Sequence, residues 1–269
     1  MFAMIVSLPL VAASATQIGM QVNLCTTTAP LVRAFFAQGA YIAPPEVAKL
    51  MFNVSNGRSD QVNRDVLLIK RTYKAPAVKH WLDLALYTAI TDGRSDITEQ
   101  LIQLGADVNA RPEYPPFTST GVAMVNLGQQ MELHKLHING KVSETFAKRL
   151  EPFPPTLPML EQAAECSRIA TLKILLTHKA NMYPTFEANQ AGFKYGILSG
   201  SINNHNEDSI EVLLDHGYDL CRDFQSGSNP KHLTDITLAK RVGLSAKLMQ
   251  RLAGLYARCP AAAIPIPAH

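Results

Sequence analysis

Apolar residues recur at helical spacing from Leu84 through Leu86, Ala89 and Ile90, until Asp92-Gly93 interrupts the run. Glycine there relieves the left-handed backbone strain of a helix C-cap. A second apolar stripe, Ile97, Leu101, Ile102 and Leu104, ends at Gly105. Ser95 or Asp96 just ahead of it can accept bonds from the free N–H groups that open a helix. Asp107 and Asn109 suit a hairpin turn. The pattern predicts two short antiparallel helices and a hairpin over 84–110.

The same plan recurs. Over 158–183, Ala163-Ala164 stand where the first unit has Ala89-Ile90, and Ile174-Leu175-Leu176 where it has Gln100-Leu101-Ile102. Lys179-Ala180-Asn181 then replaces Gly105-Ala106-Asp107. Over 196–220, the stripe Ile210, Val212, Leu213, Leu214 leads into Gly217-Tyr218-Asp219-Leu220. Weaker copies are expected at 46–74, where Asn56-Gly57-Arg58-Ser59-Asp60 nearly duplicates Asp92-Gly93-Arg94-Ser95-Asp96 at an offset of 36 residues, and at 16–42, where Gly39-Ala40 follows a helical stripe. The stretch 118–150 has helical pattern at both ends and is expected to be a further repeat with an enlarged loop. Residues 235–257 would close the array with a helix pair whose outer face is polar. Residues 260–269 form a Pro/Ala-rich tail.

Helix, glycine turn, helix, Gly-Ala-Asp turn and hairpin in that order, most clearly in 84–110, resemble the ankyrin-repeat family. None of the copies has the family's full Thr-Pro-Leu-His tetrapeptide, and Lys179 and Lys70 stand near positions where glycine is expected. The resemblance implies an all-α fold, a solenoid of stacked helix-turn-helix units with hairpin loops and some degenerate repeats. Such units cannot bury their apolar faces singly and are stacked to make an extended binding surface.

By the same resemblance the partner is another protein, bound by hairpin tips and by the solvent-facing side of the first helices. The implied contact residues are Tyr87 and Thr91 on a first helix, Tyr114 and Phe117 in the proline-braced loop 111–117, Tyr183, Phe186 and Phe193 after the next hairpin, and Arg222 and Phe224 after the one beyond. The alternative for each aromatic is packing back against a neighbouring repeat. Segment 128–141 is a further candidate as an insertion. Ankyrin-repeat proteins of an exported bacterial type resemble immunity proteins that neutralise secreted antibacterial toxins, including type VI lipase effectors. A secreted effector or adaptor that engages a host protein is the other reading.

Composition narrows these readings. The chain has 269 residues, 47% of them hydrophobic, enough for one continuous elongated core. A net charge of +3, with bases scattered among acids, lacks the footprint of a nucleic-acid binder. Residues 1–15, MFAMIVSLPLVAASA, are apolar and end in Ala13-Ser14-Ala15, as an export signal does before cleavage, although no Lys or Arg precedes the apolar run. The run is too short to span a membrane. A periplasmic or secreted location is therefore expected, with the cytoplasm as the alternative and a buried helix as the other use of residues 1–15.

Four cysteines show no CxxC pairing. Cys221 follows a repeat's turn and Cys259 follows the last helix, so a disulfide between them could tie the closing pair to its neighbour; four unpaired thiols are the alternative. Cys166 lies on an apolar helix face and reads as core. Catalytic chemistry is weakly signalled. His134 and His137 would share a helix face and could hold a metal with a third ligand, but Asn139-Gly140 marks a turn and the glutamate of an HExxH arrangement is missing. Asp83, Asp92, Asp96 and Asp107 fit caps and turns. No phosphate loop, GxSxG elbow or Cys/His dyad occurs, so neither a cofactor, a metal nor an enzymatic activity is expected.

Overall fold

The computed structural model describes residues 43–113, 157–183, 197–221 and 235–259. They form ten helices and no strand. We number them α1 (Pro45–Ser55), α2 (Ser59–Thr72), α3 (Ala75–Asp92), α4 (Ser95–Gln103), α5 (Met159–Glu165), α6 (Ile169–Thr177), α7 (Ile197–Asn203), α8 (Glu207–Asp215), α9 (Asp235–Val242) and α10 (Ala246–Tyr256). Consecutive helices pack as five pairs. The first helices meet in the order α1, α3, α5, α7, α9, and the second helices meet in the order α2, α4, α6, α8. The pairs thus build a two-layered stack.

The same backbone device ends most of these helices. At the close of α3 the N–H of Gly93 bonds to the carbonyl of Ile90 and that of Arg94 to Ala89, the paired reversal in which a left-handed residue caps a helix. Gly57, Ser167 and His205 occupy the same place in their pairs, with φ of 69°, 51° and 56°. After the second helices, Gly105, Lys179 and Gly217 repeat it with φ of 101°, 60° and 84°. Lys179 therefore takes the left-handed conformation despite its side chain. Lys70 does not, because α2 runs on to Thr72 and the Lys70 ammonium instead bonds to the Leu104 carbonyl at 2.9 Å.

The core lies between the layers, filled by Leu50, Ile69, Leu84, Ile90, Leu101, Leu172 and Leu175 among others. Pair one departs from the apolar plan. Asp65 takes the register of Leu101 and is buried, satisfied by the Asn53 amide at 2.6 Å and by Lys49 at 3.3 Å, as a buried charge requires. In addition α3 starts nine residues before Leu84, because the chain passes from α2 through Tyr73 and Lys74 directly into a helix with Pro76 in its first turn.

One expected repeat, 118–150, lies outside the described residues. On either side of it α3 packs on α5 and α4 packs on α6.

Candidate functional site

Three turns that follow second helices line one edge of the stack, each held by the same side-chain bond, and Leu220 and Cys221 after the third are helical. Asp107, Asn181 and Asp219 each accept, through Oδ1, the N–H two residues on, at Asn109, Tyr183 and Cys221, all at 2.9 Å. Neighbouring turns are also joined. The Asn181 N–H donates to Asn109 Oδ1 at 2.7 Å, and the Asp219 N–H donates to the Tyr183 hydroxyl. Tyr183 also stacks on Tyr218 with ring centroids 5.1 Å apart. This aromatic is half-buried and packs against the neighbouring pair, the alternative expected for it. Cys221, at the end of the third turn, forms a disulfide with Cys259, just past α10, with the two Cα atoms 5.3 Å apart.

At the first turn the edge opens into a cleft of about 400 Å³ lined by Pro76, Lys79, His80, Asp83, Arg111 and Glu113, among others. Its floor is a charged node. Asp83 accepts the Asp107 N–H at 2.8 Å with Oδ1 and the Lys79 ammonium at 2.9 Å with Oδ2, while Lys79 reaches Asp107 at 3.2 Å. The Asp83 carboxylate raises the Lys79 pKa, and the Asn109 N–H, aided by Lys79, lowers that of Asp107. Both oxygens of Asp83 are thus engaged in holding helix to turn. The node fixes a polar surface.

Two expected contact residues are corrected. Residues 82–91 of α3 are buried without interruption, so this helix is exposed only over its first turns. Tyr87 is only 5% exposed; its hydroxyl donates to Gln162 Oε1 at 2.9 Å and accepts from the Leu157 N–H at 3.3 Å. Thr91 is buried too, its hydroxyl donating to the Tyr87 carbonyl at 2.8 Å and its carbonyl accepting Arg168 at 3.1 Å. Both are seam residues between the second and third pairs.

The remaining candidates, Tyr114, Phe117, Phe186, Phe193, Arg222 and Phe224, lie outside the described residues, as do His134, His137 and segment 128–141. Their segments nevertheless share an origin. Residues 114–156, 184–196 and 222–234 follow Glu113, Tyr183 and Cys221, which stand after the three bonded turns. On the opposite edge the turns between paired helices are only a few residues long and closely bonded. Among the described residues no cluster of three or more His, Cys, Asp or Glu could hold a metal, and no helix is long and apolar enough to cross a membrane.

Sequence reasoning missed a second ladder along the turn edge. Arg94 donates to the Ser55 carbonyl at 2.8 Å, Arg168 to that of Thr91, and Asn206 to that of Ala164 at 3.1 Å. Each side chain caps the first helix of the preceding pair, satisfying a carbonyl left over at its C-terminus. Arginine directly after the turn at 58, 94 and 168 was the available signal. No protein-family model matches the sequence, and no curated protein matches it either.

Proposed function

We propose that this chain is an ankyrin-type solenoid acting as a non-catalytic binding protein, with the edge of the three bonded turns as its partner-facing side. The observation that carries the reading is the shared edge of Glu113, Tyr183 and Cys221, the residues after which come the three segments that hold six of the nine candidate contact residues. Loops placed by a rigid scaffold are where binding residues concentrate. The mechanism is steric occlusion of a protein partner through a few buried anchors. The preferred role is an exported immunity protein that neutralises a secreted toxin. The cysteines support an oxidising compartment, since Cys221 pairs with Cys259, Cys166 is also disulfide-bonded, and no described cysteine is free.

The test is purification of the protein, expressed with its own N-terminus in its native cell, followed by mass identification of its mature start and of its stoichiometric partner. A start at Thr16 and one toxin-like partner are expected. Replacing Tyr114 and Phe117 together by Ala should then weaken that partner's binding by several kcal/mol with unchanged helical content. An intact Met1 with a cytosolic partner would overturn the exported role, and unchanged affinity would remove the first of those segments from the site.

A further inference from the structure

Glu165 ends α5 in the seam between the third and fourth pairs. Among the described residues its carboxyl group has neither a hydrogen-bond nor an ion-pair partner; only its peptide carbonyl is engaged, by the Asn206 amide. The side chain lies against the backbone of α7. A Cβ added at Gly200 would overlap Oε1 and come within 3.0 Å of Cγ and Cδ, so the carboxyl occupies the space that glycine leaves open.

The charges on the packed elements are directed elsewhere. Helix α7 carries no ionisable side chain. On α8, Glu207 accepts the Ser245 N–H, Glu211 pairs with Lys247 and Asp215 with Arg251, leaving Asp208 in the first turn. His205, in the turn ahead of α8, acts on Glu207. Arg168, ahead of α6, caps Thr91, and Lys173 lies on an exposed position of α6. Asp92 sits at the end of α3, and Glu161 lies one turn earlier on α5 itself. None of these sets the proton affinity of Glu165. Burial alone pushes it up to about 7, as desolvation does to a carboxyl without a partner.

We infer that the Glu165 carboxyl is a proton-operated clasp on this seam, which packs against α7 while it holds its proton and loosens α7–α10 from α5 when the proton leaves. The direction follows from linkage. The folded value lies above the ordinary one, so the folded seam keeps a proton that the opened seam has lost; stability falls as pH rises from the ordinary glutamate range through about 7, and stays low above it.

The test compares the full, disulfide-intact protein with Glu165→Gln, a near-isostere that cannot ionise. Amide exchange in Ile197–Asn203 and Glu207–Asp215 is measured for both proteins at pH 5.5 and pH 8.5, where intrinsic exchange rates cancel in the ratio. At pH 8.5 the wild type should exchange these amides on the order of a hundredfold faster than the variant; at pH 5.5, about one unit above the ordinary glutamate value, the excess should shrink to on the order of tenfold. Equal exchange at both values would overturn the clasp. Should the variant not fold, carbon-detected titration of the wild-type Glu165 carboxyl decides: a midpoint near 7 supports the clasp, and one in the ordinary glutamate range ends it.

Discussion

The second and third helix pairs make the same backbone moves with different chemistry. In the second, both left-handed positions are glycines, Gly93 and Gly105; in the third they are Ser167 and Lys179. Its turn residue Arg168 reaches back to a carbonyl of pair two, using the room that Gly93 leaves: a Cβ there would sit 3.0 Å from Arg168 Cδ. The seam that follows is made with a shorter asparagine and holds an unpartnered carboxyl. Backbone geometry is therefore imposed by stacking on neighbours and survives the loss of the residue that would favour it locally. A left-handed position costs an L-residue on the order of 1–2 kcal/mol relative to its ordinary conformation. The later pairs carry that cost at three places, Ser167, Lys179 and His205, and are held by other means.

The largest of those means is covalent, and breaking it is the strongest way to separate the two halves. The Cys221–Cys259 disulfide spans 38 residues and joins the third turn to the end of α10. Replacing both cysteines by Ser should lower stability by about 2–4 kcal/mol in urea unfolding. The loss should be confined to α7–α10 when followed by amide exchange, with α1–α4 unaffected. A uniform loss across the stack would mean that the halves do not differ in how they are held.

The reverse experiment removes strain instead of a staple. Lys179 is exposed and has φ of 60°, and its ammonium has no hydrogen bond or ion pair among the described residues. Lys179→Gly should raise stability by about 0.5–1 kcal/mol, the left-handed penalty less the entropy that glycine adds to the unfolded chain. Changing Gly105 to Lys should do the opposite by a similar amount. If both substitutions are neutral, the contrast between glycine and non-glycine pairs has no energetic content.

These contrasts also explain which parts were legible from the sequence. Periodicity over 84–110 located α4 and the body of α3, because ten consecutive buried positions and two glycines leave little ambiguity. It missed the first nine residues of α3, where Lys79 and His80 interrupt the stripe although Val78 and Leu82 are buried. Pair one was faint because Asp65 occupies a core position. Residues 118–150 carry helical pattern at both ends, which alone does not distinguish a stacked pair from a loop, and they lie outside the described residues. Tyr87 and Thr91 failed for a related reason: a stretch of helix covered on all sides has no exposed face for an amphipathic rule to find. Glu165 gave no signal, since a glutamate ending a short helix looks like a surface residue until Gly200 is placed against it.

The smallest expected effect sharpens the comparison most, because only one of the two halves should respond to pH near neutrality. Lys79, Asp83 and Asp107 tie α3 to the first turn, with Lys79 53% and Asp107 44% exposed, so solvent screens the pairs and Lys79→Met should cost no more than a few tenths of a kcal/mol. Asp107 is held below the ordinary carboxylate range by the Asn109 N–H and Lys79, so its contribution is complete above that range and fades only as pH falls through its folded value. Lys79 is raised, chiefly by Asp83; its share is complete below the ordinary lysine value and fades as pH climbs through the folded one. Between these limits the node is indifferent to pH, while the Glu165 seam weakens across the same interval. Exchange of α3 and α4 amides, corrected for intrinsic rates, should stay level from pH 5.5 to 8.5 in the wild type and in Lys79→Met. A decline in α3 and α4 parallel to that of α7 and α8 would mean that the stack opens as one body, and the distinction between a fitted half and a stapled half would be lost.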